Sequence, residues 1–208
     1  MLYLETISSS TLELLNELMN FSEFNNLRLV GGTGLALQIG HRKSIDLDLF
    51  GEIDFENINT VQLFSTFQNV VSLKKSQHIN IYSINDVKVD FVNYSYPWLN
   101  APVVVNKIRL SSVEDIAAMK LAAITGRGSK KDFIDLYFFL KEYSLSELIG
   151  FYKSKYFDGS VFLLLKSLTY FNDAENDDPP VMITSIKWND VKKTILNHVS
   201  QYHKTTIG

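Results

Sequence analysis

Cysteine is absent from the 208 residues. That absence excludes disulfide frameworks, thiolate nucleophiles and Cys-ligated zinc together. Long hydrophobic runs are missing as well. The longest apolar stretches, such as Val161 to Leu165, are far too short to span a bilayer. The N-terminal MLYLETISSS lacks the basic start and long apolar core of a secretory signal. The expected location is the cytoplasm, with no membrane partner. Nor is there a global basic field. The formal charge is -3, so any contact with nucleic acid has to come from a local patch. Internal repeats and low-complexity tracts are also lacking.

What is there suits one compact body, or a small catalytic domain with a helical extension. Hydrophobic residues make up 46%, with 14 Phe and 10 Tyr, enough for a large core. Ser10 to Glu13 reads as a capping box opening a helix to about Phe21. Leu27 to Val30 reads as a short strand broken by Gly31-Gly32, after which Thr33 caps a brief helix closed by Gly40. From Ser44 the pattern alternates strictly, with Ser44, Asp46, Asp48 and Phe50 on one face and Ile45, Leu47 and Leu49 on the core face. A second helix is expected at about Asn59–Phe67. A hairpin His78–Ile84 and Val87–Tyr94 turns at Asn85-Asp86, and Val103–Leu110 reads as one further strand. Ser111 to Glu114 then reads as another capping box, whose helix ends near Gly126. More helices start near Ser129, Ser144 and Ser160, NDAENDDPP reads as a loop, and Trp188–His203 is a last helix. The pattern divides the chain into an α+β domain with a mixed sheet at 1–110 and a helical domain at 111–208.

Several residues carry chemistry. A D-x-D pair alone says little, because a chain with this many aspartates yields about one by chance. The setting of Asp46 and Asp48 says more. Their strand has an apolar opposite face, and two carboxylates on one face repel unless a cation joins them. Mg²⁺ answers that need through carboxylate oxygens, although two solvated aspartates on an edge strand fit the bare pattern equally well. Gly31-Gly32 between strand and helix offers backbone N–H groups to phosphate, or makes an ordinary tight turn. Asp90, flanked by Val89 and Phe91, either adds a third carboxylate for two-metal phosphoryl transfer or pairs with Lys88. Lys120 is the single charge in IAAMKLAAIT, so it either snorkels to solvent or meets an anion. On that reading Lys120→Met should leave folding intact. Arg127, Lys130 and Lys131 follow in a Gly-flanked loop that binds phosphate or is a solvated face. His41 and Arg42 either border the site or belong to a plain loop.

Three segments in order, LVGGTGLALQIGHRKSIDLDLF, VKVDF and SSVEDIAAMKLAAITGRGSKKDFIDLYFFL, resemble the motifs of the AbiEii-type nucleotidyltransferases. These are toxins of type IV toxin–antitoxin and abortive-infection systems, with a polymerase-β-like fold. The likeness covers roughly Leu29 to Leu140. It implies that Gly31, Gly32, Thr33 and Ser44 border a triphosphate. It also implies that Asp46 and Asp48 hold Mg²⁺ (or Mn²⁺), and that Asp90 completes the metal site and activates the acceptor. Lys120 would bind phosphate, while Asp132 or Asp135 fixes the nucleotide or Lys120. One departure stands out: Ile116 lies where an acidic residue would precede Lys120 by four positions, and Glu114 and Asp115 fall earlier.

The expectation is therefore an α+β nucleotidyltransferase domain followed by a helical bundle closing one side of the cleft. It would transfer a nucleoside monophosphate from an NTP to an acceptor such as tRNA, with an antitoxin as partner. Two rivals use the same residues differently. One is a small-molecule, antibiotic-type nucleotidyltransferase, and the other a binding module of the same fold without catalysis.

Overall fold

The computed structural model describes residues 1–207. The chain divides into two compact units. One comprises Met1–Tyr96 with Ala101–Ser111, and the other Pro97–Asn100 with everything from Ser112 on.

The first unit is built on a seven-stranded mixed sheet. Its strands are β1 (Leu27–Leu29), β2 (Leu47–Gly51), β3 (Val70–Lys74), β4 (Ile79–Ile84), β5 (Val87–Asn93), β6 (Val103–Val105) and β7 (Ile108–Leu110), in the spatial order β3-β4-β5-β2-β1-β7-β6. β2 runs parallel to β5 and β1 parallel to β7, and the remaining neighbours are antiparallel. Helix α1 (Ser9–Asn20) buries Leu14, Leu15 and Leu18, one stripe at helical spacing. It packs with Leu47, Leu49, Val89 and Phe91 from the core-facing positions of the central strands. Aromatic rings fill the rest of that core. Phe91 lies 4.8 Å from Phe24 and 5.9 Å from Phe64, and Phe64 meets Tyr82 edge-on at 5.0 Å. Helix α2 (Gly31–Ile39) connects β1 to the approach of β2, and a short helix α3 (Thr60–Leu63) precedes β3.

The second unit is helical: α4 (Val113–Gly126), α5 (Lys130–Glu142), α6 (Leu145–Lys155), α7 (Val161–Leu168), α8 (Asn172–Glu175) and α9 (Trp188–Ile207). Serines start several of them. Ser112 accepts from Asp115 N, Ser160 from Leu163 N, and Ser144 forms a full capping box with Glu147. No helix among the described residues is long and apolar enough to cross a membrane.

Several local expectations are corrected. α1 starts two residues early because Ser8, not Ser10, caps it by accepting from Thr11 N. Likewise Ser112 caps α4 in place of Ser111, whose N–H is taken up by the Leu29 carbonyl of the sheet. Thr33 caps nothing: it lies inside the first turn of α2, which follows directly on Val30. Ile45 does not face the core but is 74% exposed, since the alternating strand begins only at Leu47. Val103–Leu110 is a hairpin of two strands rather than one strand. Asn106 and Lys107 both take positive φ there, as Asn85 and Asp86 do in the β4–β5 turn. The acidic loop holds the single turn of α8. β3 is a strand the sequence pattern did not predict, and its apolar Val71 and Leu73 are exposed.

Arg109 ties the first unit together. Its guanidinium donates to the carbonyls of Leu27 (3.1 Å), Met19 (3.1 Å) and Phe24 (2.9 Å), linking the end of α1 to β1 and β7. Removing the donors strands those acceptors, so Arg109→Leu should destabilise the protein by about 2–4 kcal/mol. Urea denaturation at unchanged slope measures this, and a loss under about 0.5 kcal/mol would show the three bonds to be dispensable.

Candidate active site

The first unit gathers its chemistry at the start of α2 and the adjoining ends of β2 and β5. In the parallel β2–β5 pair the register sets Asp48 directly beside Asp90. Partners in register project from the same face of a sheet. The flanking residues Leu47, Leu49, Val89 and Phe91 are buried on the other face. Asp48 also anchors the preceding turn, its carbonyl accepting from Val30 N at 2.9 Å. That bond brings the first residues of α2 against the Asp48 side chain.

Gly31 has φ +65, a conformation that costs a side-chain-bearing residue about 1–2 kcal/mol. A Cβ at Gly31 would also overlap the Asp48 carboxylate. A Cβ at Gly32 would overlap the Arg42 guanidinium instead. Gly31 is required by its φ, and at both glycines the missing Cβ leaves room for a side chain, an acid at one and a base at the other. Arg42 and His41 are both buried, and Arg42 reaches Gly32. Arg42 donates to the Lys43 carbonyl at 3.0 Å. Thr33 Oγ1 lies 2.8 Å from Ser44 Oγ and donates to the Asp46 carbonyl. Thr33 and Ser44 thus clamp the first turn of α2 to the segment entering β2. At that turn the N–H groups of Gly31, Gly32 and Thr33 have no partner earlier in the helix.

Asp46 lies one residue before β2, where the strand alternation that directs Asp48 has not begun. Asp90 is paired with Lys88: Nζ stands 2.6 Å from Oδ1, while that oxygen lacks a well-aligned hydrogen bond. The contact is a charge pair at the surface, with the Lys88 side chain 44% exposed. Such a pair is worth roughly 0–1 kcal/mol and yields readily to a competing cation. Among the described residues, no three or more His, Cys, Asp or Glu side chains are grouped so as to hold a metal ion. The three-carboxylate cluster read from D-x-D and Asp90 is thus not preassembled. Asp48 and Asp90 nevertheless fit a hard divalent ion. Mg²⁺ is typically held by one or two carboxylates plus substrate phosphates rather than by an all-protein cage.

The helical unit has a charge cluster of its own. Lys120, 4% exposed, sits between two fully buried carboxylates, 2.9 Å from Asp132 Oδ1 and 2.7 Å from Asp135 Oδ2. Of the two alternatives for a lone lysine in an apolar helix, it takes the anion. Asp132 also accepts from Arg127 Nε at 2.9 Å and from Ser129 Oγ at 2.6 Å. Burial alone would raise the Asp132 carboxyl. The Lys120 ammonium, the Arg127 and Ser129 hydrogen bonds and the Arg127 charge outweigh it and hold the group well below the usual carboxylate range. Lys130 is no surface charge either: it is buried and donates to the Glu175 and Asp177 carbonyls, whereas Arg127 and Lys131 are exposed. Asp115, next to the departure at Ile116, serves Lys155 and not Lys120. Lys155 Nζ donates to it at 2.7 Å and lies over the Trp98 ring at 4.4 Å. Alternation and motif spacing gave no signal for that buried pair, because Lys155 lies 40 residues from Asp115.

The chain is similar to known proteins in sequence and in fold. Residues 13–201 match the family described as Nucleotidyl transferase AbiEii toxin, Type IV TA system. An uncharacterized protein of Aquifex aeolicus is 33% identical over 198 residues, covering 91% of this chain and 94% of its own length. Among solved structures, JHP933 from Helicobacter pylori superposes with a TM-score of 0.62 at 20% identity, covering 96% of this chain and 94% of that one. MenT4, a nucleotidyltransferase toxin from Mycobacterium tuberculosis, gives 0.60 at 16% identity over 91% of this chain and 82% of that one. At these identities the two structures establish the fold.

The buried cluster overturns the expectation that Lys120→Met is harmless to folding. Removing the ammonium leaves two buried carboxylates facing each other, at a cost of about 3–5 kcal/mol. Asp132 adds a pH signature. Its folded pKa is depressed, so its stabilisation is complete above the unfolded value near 4 and fades as pH falls below that. In urea titrations the gap between wild type and Asp132→Asn should be constant from pH 7 to about 5 and shrink below about 4. A gap that widens on acidification would contradict the ion-pair account.

Proposed function

This chain belongs to the AbiEii nucleotidyl transferase toxin family, and we propose on that footing how its residues carry out the transfer. The reaction joins an acceptor oxygen to the α-phosphorus of a nucleoside triphosphate. The bond from that phosphorus to the bridging β-phosphate oxygen breaks, and diphosphate leaves. The observation that carries the proposal is the register pairing of Asp48 with Asp90 beside a glycine turn that contacts Asp48.

In this reading Gly31, Gly32 and Thr33 donate their first-turn N–H groups to the triphosphate. Arg42 adds positive charge over Gly32. Ser44 holds the loop through Thr33. Asp48 and Asp90, with Asp46 at the strand entrance, hold Mg²⁺ or Mn²⁺. When bound, the ion neutralises charge on the triphosphate and the departing diphosphate. Asp90 accepts the proton of the acceptor hydroxyl as the new bond forms, exchanging Lys88 for that role. Lys120, Asp132 and Asp135 act within the helical unit, where the shared Asp132 carboxylate orients Arg127. For the acceptor we propose RNA, tRNA foremost. A cognate antitoxin as protein partner follows from the same family membership. With a net charge of -3, RNA contact would fall to local cationic groups, and we propose Arg127 and Lys131 for it.

Labelled NTP, Mg²⁺ and total RNA provide the assay. Asp48→Asn and Asp90→Asn should each lower transfer by about a hundredfold or more. Lys88→Met should leave it near wild type; equal losses in Lys88→Met and Asp90→Asn would reduce Asp90 to a surface ion-pair partner. A triphosphate should raise the melting temperature with Mg²⁺ and not without it, and Asp48→Asn should erase that difference. Gly31→Ala, which drives a methyl into the Asp48 carboxylate, should abolish transfer in a protein that still unfolds cooperatively.

A further inference from the structure

The helical unit carries a cavity of about 470 Å³ where the last turn of α4 and the following loop meet α7 and the residues after it. Cavities of roughly 300–1,000 Å³ are the size that small-molecule ligands occupy. Its wall is chemically mixed in a particular way. Leu163 supplies an apolar surface, and Tyr170 a ring that is 51% exposed. Arg127 and Lys166 supply two cations. Arg127 is held in one orientation by Asp132 although its side chain is 62% exposed. Asp173 supplies a carboxylate 3.4 Å from the Tyr170 hydroxyl. Ile124, Thr125 and Gly126 in the last turn of α4 complete the wall.

Each feature answers one part of a single kind of molecule. An exposed aromatic ring stacks on a planar heterocycle. A carboxylate accepts from ribose hydroxyls. A fixed guanidinium and a lysine bind a phosphate. An inorganic anion would leave the ring and Leu163 without a role, and an apolar ligand would strand the two cations. We propose that this cavity binds a nucleotide unit, its base on Tyr170 and its phosphate toward Arg127 and Lys166. The inference rests on the proposed transfer reaction only in making that unit part of a substrate, either the incoming triphosphate or the terminal nucleotide of the acceptor.

Gly126 offers a clean test. It lies in α4 without positive φ, and a Cβ there meets nothing within 4 Å, so Gly126→Leu begins a side chain in open space at the cavity wall. The full-length chain is titrated with AMP, CMP, GMP and UMP, without metal, and amide resonances are followed by NMR. At least one monophosphate should shift the amides of Gly126, Gly128 and Tyr170. Gly126→Leu and Tyr170→Ala should each weaken that binding at least tenfold, while Asp48→Asn should leave it unchanged. Unmoved resonances with all four, or full-strength binding to Gly126→Leu, would overturn the proposal. In the transfer assay, Gly126→Leu should raise KM for one substrate: the NTP if the triphosphate supplies the unit, the RNA if the acceptor does. Unchanged KM for both would remove the substrate role. Wild-type protein that binds monophosphates here yet transfers nothing would refute the proposed reaction and leave the nucleotide site standing.

Discussion

Parallel pairing of β2 with β5 is the constraint from which the candidate active site follows. Parallel neighbours cannot be joined by a tight turn, and here the crossover from Gly51 to Val87 contains α3, β3 and β4. The register of that pair is enforced by burial. Leu47, Leu49, Val89 and Phe91 must all face the aromatic core, and a slip of one residue would turn them outward. The same register brings Asp48 beside Asp90 on the opposite face. Like-charged carboxylates side by side oppose folding, so the core packing supplies what their repulsion costs. Lys88 relieves part of it in the protein alone.

The glycine turn is subordinate to that pair. Asp48 and Arg42 occupy the space where its side chains would otherwise stand. Local strain and charge crowding therefore fall in one place, supported by an apolar sheet face and by the Arg109 links between α1, β1 and β7. This separation of a stable scaffold from a costly site is the arrangement expected where binding residues are selected for chemistry and not for folding.

The helical unit treats charge differently. Lys120, Lys130 and Lys155 are all buried, and each is met by carboxylates or carbonyls at hydrogen-bond distance. Buried pairs of this kind contribute little net stability but penalise any arrangement that separates them. They fix which helix faces which: α4 against α5 through Lys120, and α4 against α6 through Asp115 and Lys155. Arg127 stands at the edge of this network, where one carboxylate shared with Lys120 aims it toward the cavity beside α7.

The sequence by itself determined most of the elements and the candidate chemistry, though not β3, the β6–β7 turn or α8, because both are written in short-range patterns. Strand alternation marked Leu47, Asp48 and Leu49, and Val89, Asp90 and Phe91. Asn85-Asp86 marked a hairpin, Gly40 a helix end, and three ordered motifs the family. Cap positions slipped by one or two residues where adjacent serines competed, as at Ser8 and Ser10 or Ser111 and Ser112, since only the helix axis selects among them. What tertiary structure alone decided were the pairings of residues distant along the chain. No local pattern told that Arg42 rests on Gly32, that Lys120 meets two carboxylates and not solvent, or that Asp115 belongs to Lys155. Those outcomes depend on which faces are buried together, and burial is a property of the packed chain. An isolated charge in an apolar segment has two physical solutions, and the fold supplies the partner that selects one.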